Sequence, residues 1–335
     1  MQVAVIGGGS WGTTVAHLCA KNAPTTLWAR REEVVAEVRD DHRNSQYLAG
    51  FDLTPSLHAT TSLEDAVRAA DVLVMGVPSH GMRETAKELV SFLRPWVPVV
   101  SLSKGLEQGT RLRMTQVLEA ELPGHPRGVL TGPNLAKEIL AGDAAASVIA
   151  MDDPVIAEAL HDLFASDGFR VYTNPDVIGC EVAGALKNVM AIASGMADGL
   201  GTGDNTRSAV ITRGLAELTR LGCAMGGQQV TFAGLAGMGD LIATCISPQS
   251  RNRYVGEQLG RGRKIDEIID EMSMVAEGVK TSKVVMELAK EYGVRMPIAR
   301  EVHRVVHEGG LATDAYRGLI GRPDARAEMH GMPGN

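Results

Sequence analysis

The chain has 335 residues, a length that favours about two domains of ordinary size. Hydrophobic residues make up 44% of it and charged residues 22%, a balance that excludes an intrinsically disordered chain. The formal net charge is −7 and no run of basic residues reaches five, which argues against nucleic acid as a partner.

The first half of the chain alternates short apolar strands with helices. Val3 to Ile6 is a four-residue apolar run followed by glycines, and a similar apolar run begins after Asp71. Apolar strands that alternate with helices are typical of a mainly parallel sheet buried on both faces, so we predict an α/β Rossmann-type amino-terminal domain. The predicted strands are 3–6, 25–28, 72–77, 97–102, 128–130, 147–150 and 169–172, and the predicted helices include 13–21, 32–39 and 82–93.

The second half of the chain has a different character from about residue 177. No convincing strand is found between there and about residue 320, and Gly and Pro separate a series of helical segments. We therefore predict two domains, an NAD(P)-binding Rossmann domain over 1–176 and an all-α substrate-binding domain over 177–335, with a flexible tail from about 322. The predicted helices are 178–196, 207–221, 240–244, 253–261, 265–272, 278–292 and 297–307.

The first strand leads into a glycine-rich turn of the form G-x-G-x-x-G. Gly7 permits the tight turn, Gly9 lets the backbone approach a pyrophosphate, and Gly12 allows the helix to pack closely on the strand. Free amides at the start of the following helix attract phosphate. The pattern indicates a dinucleotide site, and the alternative is a glycine-rich turn with no ligand.

The end of the second predicted strand bears on the choice of nucleotide. Arg30 and Arg31 stand where an NAD-selective site usually has Asp or Glu, and arginine there can meet a 2′-phosphate. The residues therefore favour NADPH. The alternative is a solvated arginine pair, and Glu32 and Glu33 leave use of NADH open.

Three further loops follow predicted strands and would face the same ligand-binding edge of the sheet. His80 is either an acid, base or stacking group or a polar loop residue. Lys104 is either a cation that holds phosphate or a substrate oxygen, or a surface lysine. The third loop ends in Asn134, whose amide is free to contact a ligand.

A lysine lies within an apolar stretch of the long helix at 178–196. Lys187 shares its helix face with Ala183, Met190 and Ser194, which are small or apolar. An ammonium in such surroundings is partly desolvated, which favours a role in proton transfer. The alternative is a lysine whose stem passes the small residues and whose charge reaches solvent.

The helical half also carries a glycine-rich turn and a basic segment. Asp240 ends the turn, where it either caps the next helix or bonds a substrate hydroxyl or a lysine. Ser250, Arg251, Asn252 and Arg253 offer a hydroxyl, two guanidiniums and an amide at a helix start. Arginine forks match phosphate geometry, so this segment predicts a phosphate site, with an exposed helix cap as the alternative.

The remaining features of the sequence argue for a cytoplasmic protein. The amino terminus lacks the pattern of a signal peptide, and no apolar stretch reaches the roughly 18 residues that span a bilayer. The four cysteines are isolated and fit reduced thiols. No cluster of metal-ligand type appears, so we expect no metal.

Ten motifs, in order along residues 2 to 328, make the chain resemble the bacterial-type NAD(P)-dependent glycerol-3-phosphate dehydrogenase family. The resemblance implies reversible hydride transfer between NAD(P)H and dihydroxyacetone phosphate, giving the glycerol 3-phosphate used in phospholipid biosynthesis. Asn134 stands where the family often has Ser or Thr, and it keeps the ability to hydrogen bond. The motifs are GGGSWGT, VPSH, SKGLE, TGPNLAKE, VYTNPDVIGCEVAGALKNVMAIASGMADGLG, TRGLAEL, GLAGMGDLIATC, SRNR, AEGVKTSK and GRPDARAE.

The resemblance also implies roles for individual residues. Lys187 would accept the proton of the C2 hydroxyl in oxidation and return it in reduction, with Lys104 and Asp240 as the other catalytic residues. The implied substrate-binding residues are Lys104, Gly132, Asn134, Lys187, Asp240, Ser250, Arg251 and Asn252. The implied cofactor-binding residues are Ser10, Trp11, Arg30, Lys104, Ala136, Arg251, Val275 and Glu277, to which the glycine turn and strand end add Gly7, Gly9, Gly12 and Arg31.

Two alternatives from other classes remain at this stage. A 3-hydroxyacid or 6-phosphogluconate-type dehydrogenase also joins a Rossmann domain to a helical one and uses a lysine. A sensor that binds NADPH without catalysis would be expected to lack the catalytic residues, all of which are present. Oxidation of NADPH by dihydroxyacetone phosphate discriminates among the three, and the residues leave open whether the chain forms a homodimer.

Overall fold

The computed structural model describes residues 1–272 and 276–320. The chain forms two compact units, of which the first contains Met1–Ser103 and Leu112–Val177. The second contains the segment Lys104–Arg111 and the chain from Ile178 onward. The inclusion of Lys104–Arg111 in the helical unit was not expected from the sequence. The predicted flexible tail from about 322 lies outside the described residues.

The first unit is built on one sheet, whose strand order among the described residues is β3-β2-β1-β4-β5-β6-β7-β8. The order reverses between β1 and β4, and this reversal is where nucleotides bind in sheets of this kind. Neighbouring strands are parallel except β6 and β7, so the predicted parallel-rich Rossmann-type sheet is confirmed. The strands are β1 Val3–Ile6, β2 Thr25–Trp28, β3 Leu57–Thr60, β4 Val72–Met75, β5 Val99–Ser101, β6 Arg127–Thr131, β7 Ala145–Met151 and β8 Phe169–Asn174.

Helices cover the sheet and bury its apolar side chains. All four residues of β1 and of β4 are buried, because the strands lie in the middle of the sheet with helices packed on both faces. The helices are α1 Ser10–Asn22, α2 Glu32–Ala36, α3 Ser45–Leu48, α4 Leu63–Val67, α5 Met82–Leu89, α6 Met114–Glu121, α7 Ala136–Ala141 and α8 Pro154–Phe164, with a π-helical turn at Glu37–Asp41 and a 3₁₀ turn at Ser79–Gly81.

All the named elements of the second unit within its described residues are helical, which confirms the all-α prediction for this part of the chain. Its core forms around α9, in which residues 179–197 are all buried. The helices are α9 Val177–Gly199, α10 Asp204–Ala224, α11 Gln229–Ala233, α12 Asp240–Ile246, α13 Arg251–Gly260, α14 Ile265–Glu271, α15 Glu277–Glu291, α16 Pro297–His307 and α17 Ala312–Ile320, with a π-helical turn at Leu235–Gly239 before α12.

The length and hydropathy of α9 correct one sequence-based expectation. The helix has 23 residues and a mean hydropathy of 1.4 over its most apolar window, which is long and apolar enough to cross a membrane. We expected no stretch of that kind. Since 94% of that window is buried inside the protein, α9 has the character of a core helix.

Helices α9 and α13 cross in direct backbone contact. A Cβ atom on Gly195 would lie 2.0 Å from the carbonyl oxygen of Arg253, and one on Gly256 would lie 2.0 Å from that of Ile192. Only glycine permits this approach, because any side chain would collide with main-chain atoms. The crossing fixes the start of α13 relative to the middle of α9. Its glycines are Gly195, Gly199, Gly256 and Gly260.

Candidate functional site

The glycine turn after β1 has the geometry that its motif predicts. Gly7 has a φ of +125°, and a Cβ on it would lie 2.6 Å from the carbonyl oxygen of Gly76. A Cβ on Gly12 would lie 2.1 Å from the carbonyl oxygen of Gly7, so neither position tolerates a side chain. Gly9, in contrast, faces open space, and no side chain caps the first turn of α1. The turn therefore fits a dinucleotide pyrophosphate.

Trp11 supplies a second observation that fits a nucleotide. Its indole Nε1 is buried and finds no hydrogen-bond partner in the part of the chain that the structure describes. The ring is held edge-on to Phe169, with centroids 6.2 Å apart. A buried donor without a partner is costly, and a ligand acceptor would satisfy it. Ser10, which precedes it, begins α1.

The end of β2 lies beside the glycine turn, because the Gly7 amide donates to the carbonyl oxygen of Trp28 at 2.9 Å. Arg30 and Arg31 follow and are both exposed, which fits either cations that meet a ligand or a solvated arginine pair. Nη2 of Arg31 donates to the Tyr47 hydroxyl at 2.8 Å, and its guanidinium carbon lies 5.5 Å from the centre of that ring. Tyr47 was not identified from the sequence.

The other loops of the first unit lie at the carboxyl ends of parallel strands, as predicted. Gly132, after β6, has a φ of +134°, and a Cβ there would lie 3.0 Å from the Cα of Ser147. Asn134 follows in the same loop, and Ala136 begins α7. His80 is exposed in the turn after β4.

Two lysines of the second unit share one carboxylate. Lys187 Nζ donates to Asp240 Oδ1 at 2.5 Å, and Lys104 Nζ donates to Asp240 Oδ2 at 2.7 Å. Lys187 also donates to Thr244 Oγ1 at 2.5 Å, and this hydroxyl donates to the main-chain oxygen of Asp240 at 2.6 Å. Helices α9 and α12 and the Lys104–Arg111 segment thus bring the three predicted catalytic residues together.

The cluster is buried, and burial changes its electrostatics. The side chain of Lys187 is 6% exposed, that of Asp240 3% and that of Lys104 15%. Burial lowers the pKa of Lys104 to about 7, and the nearby Lys187 cation adds to that effect while Asp240 opposes it. Lys104 therefore changes charge near neutral pH. The alternative role for Asp240 was that of a helix cap. That role does not explain its ion pairs with Lys104 and Lys187.

A chain of hydrogen-bonded amides holds the main chain of Lys104 in place. Asn188 Nδ2 donates to the main-chain oxygen of Lys104 at 2.9 Å, and Asn252 Nδ2 donates to Asn188 Oδ1 at 3.0 Å. The Gly278 amide donates to Asn252 Oδ1 at 2.9 Å. The sequence analysis assigned no role to Asn188 or Thr244. Their positions, one residue after Lys187 and four residues after Asp240, were the available signals.

The basic segment forms the amino end of α13. Ser250 is its cap and accepts from the Arg253 amide at 3.2 Å, while Asn252 is buried and Arg251 is exposed. Partial burial lowers the pKa of the Arg251 guanidinium, and the negative charge of Glu277, the first residue of α15, opposes that effect. An exposed arginine at a helix start offers both charge and amides to a phosphate. Val275, another predicted cofactor contact, lies outside the described residues.

A buried ion network ties the start of α13 to the end of α9. Asp198 Oδ2 accepts from Arg253 Nε at 2.9 Å, and Oδ1 accepts from Arg207 Nε at 2.9 Å. The Asp198 side chain is only 7% exposed. Arg253 therefore has a structural role, since its ion pair with Asp198 joins α13 to α9.

Residues of metal-ligand type form no cluster within 1–272 and 276–320. None of the four cysteines, all within the described residues, forms a disulfide.

Two family models match the chain and together cover most of it. The model described as the NAD-dependent glycerol-3-phosphate dehydrogenase N-terminus matches residues 2–157. The model described as the NAD-dependent glycerol-3-phosphate dehydrogenase C-terminus matches residues 176–317.

Similar sequences carry the same family name. A glycerol-3-phosphate dehydrogenase (NAD(P)+) of Sphingopyxis alaskensis is 58% identical over 320 residues, which is 96% of this chain and 96% of the relative. One of Mycobacterium avium is 58% identical over 332 residues, covering 98% of this chain and 97% of the relative. One of Geobacter sulfurreducens is 50% identical over 98% of each chain.

Solved structures agree with this grouping. The crystal structure of glycerol-3-phosphate dehydrogenase from Coxiella burnetii has a TM-score of 0.91 at 35% identity, covering 96% of this chain and 99% of the other. The enzyme from Saccharomyces cerevisiae has a TM-score of 0.84 at 28% identity, covering 95% and 99%. Ketopantoate reductase from Ralstonia eutropha, at 18% identity and a TM-score of 0.59, shares the fold alone.

Proposed function

The chain belongs to the NAD-dependent glycerol-3-phosphate dehydrogenase family, and we propose that Lys187, Asp240 and Lys104 perform its proton transfer. The enzyme transfers hydride reversibly between NAD(P)H and dihydroxyacetone phosphate, giving the glycerol 3-phosphate used in glycerophospholipid synthesis. The observation that carries the site assignment is the Asp240 carboxylate bonded to both lysine ammoniums. A match of both halves to one family leaves the hydroxyacid-type dehydrogenase and the sensor without support.

Lys187 is the proton donor in reduction and the acceptor in oxidation. When bound, the nicotinamide supplies or accepts the hydride at C2. In reduction, negative charge develops on the C2 oxygen, and an ammonium next to it stabilises that charge and then donates its proton. The hydrogen bonds from Lys187 to Asp240 and to Thr244 fix the position and direction of the Lys187 side-chain nitrogen.

Lys104 has a second role as a cation at the substrate. Because the pKa of Lys104 is about 7, the charge of a bound substrate determines whether Lys104 is protonated at neutral pH. A dianionic phosphate ester favours the cation and so draws a proton onto Lys104 as it binds. The amide of Asn188 holds the Lys104 main chain in place for this contact.

The amino end of α13 is the phosphate anchor of the substrate. Arg251 is exposed there with a guanidinium fork, and Ser250 and Asn252 add a hydroxyl and an amide. Binding a phosphate away from the reacting carbon positions C2 for the reaction and lowers its entropic barrier. Gly132 and Asn134 of the first unit are proposed as further substrate contacts.

The glycine turn and the end of β2 bind the nucleotide. Gly7, Gly9 and Gly12 leave room for the pyrophosphate, and the Trp11 indole has a free donor for it. The enzyme uses NADH or NADPH, and we propose a preference for NADPH because Arg30 and Arg31 suit a 2′-phosphate. The remaining proposed nucleotide contacts are Ser10, Lys104, Ala136, Arg251, Val275 and Glu277.

Three further proposals concern the chain as a whole. We place the domain boundary at 176/177, with Lys104–Arg111 added to the second domain on the support of the observed units. We propose a cytoplasmic location, supported by the burial of α9 within the protein. A homodimer stays a prediction that light scattering of the purified chain tests directly.

A panel of carbonyl substrates tests the function and the anchor together. Oxidation of NADPH is followed with dihydroxyacetone phosphate, dihydroxyacetone and ketopantoate, and then with NADH at the same concentrations. We expect turnover with dihydroxyacetone phosphate and none with ketopantoate. Dihydroxyacetone lacks the phosphate, so its kcat/KM is expected to be lower by a factor of about 100 or more. Equal kcat/KM values for the phosphorylated and free ketones would contradict the anchor, and no turnover with either would contradict the function.

A further inference from the structure

Tyr47 holds one of the two arginines that follow β2. Arg31 Nη2 donates to the Tyr47 hydroxyl at 2.8 Å, and the guanidinium carbon lies 5.5 Å from the ring centre. Arg30 is also exposed but makes no side-chain hydrogen bond or ion pair within the described residues. The two neighbouring cations therefore differ, since one has a fixed direction and the other does not.

The segment that carries Tyr47 is tied to the phosphate-binding turn. Asn44, just before α3, is fully buried, and its Nδ2 donates to the carbonyl oxygen of Gly8 at 3.0 Å and to Thr13 Oγ1 at 2.9 Å. The Tyr47 amide donates back to the Asn44 carbonyl at 3.2 Å. Leu48 is buried next to it. Tyr47 thus stands on a short helix whose start is fixed to both Gly8 and α1.

The end of β2 also packs directly against the glycine-rich turn, at Gly8. A Cβ atom on Gly8 would lie 2.7 Å from the Cβ of Ala29, so no residue larger than glycine fits between the turn and the end of β2. Arg31 follows Ala29 by two residues. Two sets of contacts therefore fix the Arg31 guanidinium relative to the glycine-rich turn. The backbone is fixed by the contact of Ala29 with Gly8, and the side chain is fixed by its hydrogen bond to Tyr47.

An arginine that is ordered before the ligand arrives binds more tightly than a free one. A long side chain loses rotamer freedom when it is fixed, and this loss is avoided at binding if the protein has already fixed it. Tyr47 engages Nη2 and one face of the guanidinium, which leaves Nε and Nη1 available to a phosphate. NADPH differs from NADH only by the 2′-phosphate, so a contact made to this group separates the two nucleotides.

We propose that Tyr47 is a positioning residue for the 2′-phosphate: it orients Arg31 and so determines part of the preference for NADPH over NADH. The proposal rests on the nucleotide site proposed above. It adds a residue of α3 that touches the nucleotide only through Arg31.

Direct binding of NADP+ and NAD+ tests this role apart from catalysis. Dissociation constants are measured by calorimetry on the full chain for wild type, Tyr47→Phe and Tyr47→Leu. We expect Tyr47→Leu to raise the Kd of NADP+ about fivefold and to change that of NAD+ by less than about twofold. Tyr47→Phe keeps the ring and loses the hydroxyl, so its effect lies in between. Tyr172→Leu, which removes a half-exposed tyrosine on β8, is the matched control and leaves both constants unchanged.

The same variants in an Arg31→Ala background complete the test. If Tyr47 acts through Arg31, Tyr47→Leu has no further effect on NADP+ binding once Arg31 is absent. The same fivefold loss in both backgrounds, or equal weakening of NADP+ and NAD+ by Tyr47→Leu, would overturn the proposal. A wild type that binds both nucleotides equally would overturn the NADPH preference as well. Turnover of dihydroxyacetone phosphate by the wild type reports separately on the proposed function, whatever the outcome of the binding measurements.

Discussion

Gly256→Ala at the crossing of α9 and α13 is expected to reduce activity by separating two helices. The added Cβ would lie 2.0 Å from the carbonyl oxygen of Ile192 and 2.9 Å from the amide nitrogen of Met196. Cβ atoms essentially never approach other atoms within 3.0 Å, so the helices have to separate by about 1 Å. Both colliding atoms belong to the backbone, so no side chain can rotate to make room.

The displacement changes the geometry of the site. Lys187 lies on α9 and the phosphate anchor around Arg251 lies at the start of α13. A misplacement of about 1 Å between anchor and reacting group reduces the rate by up to roughly 100-fold. Overpacking destabilises by about 1–3 kcal/mol, while the higher helix propensity of Ala returns about 1 kcal/mol, so we expect a net loss of about 0–2 kcal/mol.

The assay separates the site from general instability. The kcat/KM for dihydroxyacetone phosphate, the Kd for NADPH and the free energy of unfolding in urea are measured together. Gly203→Ala is the control, because a Cβ there meets nothing within 4 Å and the residue has a φ of −84°. We expect Gly256→Ala to lose at least tenfold in kcat/KM with a smaller loss in NADPH binding through Arg251, and Gly203→Ala to lose little. A Gly256→Ala enzyme with wild-type kcat/KM would refute the idea that this crossing sets the distance between Lys187 and the phosphate anchor at Arg251.

Three other predictions concern single charges. Arg251→Ala is expected to raise the KM for dihydroxyacetone phosphate by roughly 10- to 100-fold, since a charged hydrogen bond contributes about 1.5–3 kcal/mol. An equal effect on dihydroxyacetone would show that Arg251 does not hold the phosphate. Because the pKa of Lys104 is about 7, its cation is present below that pH and lost above it, so kcat/KM for reduction is expected to fall as pH rises through 7. Lys104→Arg stays charged, so its kcat/KM should show no such fall, and a pH profile like that of wild type would contradict the role. Arg30→Asp is expected to change the NADPH-to-NADH ratio of kcat/KM by about tenfold towards NADH, because a carboxylate repels the 2′-phosphate, and an unchanged ratio would refute the contact.

The central strands of the sheet were predictable because their residues are buried on both faces. The bounds of β1 and β2 agree with the predicted 3–6 and 25–28. Strand β3 was missed, since it lies at the sheet edge and only Leu57 of its four residues is buried. The other three residues of β3 are exposed or half-buried, so the strand has no apolar run for a sequence to reveal. The antiparallel direction of β7 was missed for a different reason, because strand direction depends on the connection and leaves no mark on the strand itself.

The site residues were predictable one by one, but their contacts were not. Lys187 and Asp240 were candidates as a lysine on an apolar helix face and an acid after a glycine turn, and the family resemblance implied their roles. Their ion pair joins residues 53 positions apart, and Lys104 joins them from 136 positions away. Patterns within one helix carry no information on such distant pairing. The glycine spacing of four in both α9 and α13 did carry a signal for their close crossing, which the sequence analysis did not use.

A single-turnover measurement of hydride transfer in Lys187→Ala tests the proton-transfer site most directly. The enzyme is mixed with NADPH and saturating dihydroxyacetone phosphate, the decay of NADPH absorbance is followed in one turnover, and the Kd for NADPH is measured on the same samples. Lys290→Ala, an exposed lysine of α15, is the control. We predict a Kd for NADPH within about threefold of wild type and a hydride-transfer rate lower by about 100-fold or more, the scale of lost acid catalysis. A rate close to wild type in Lys187→Ala would contradict the assignment of Lys187 as the proton donor.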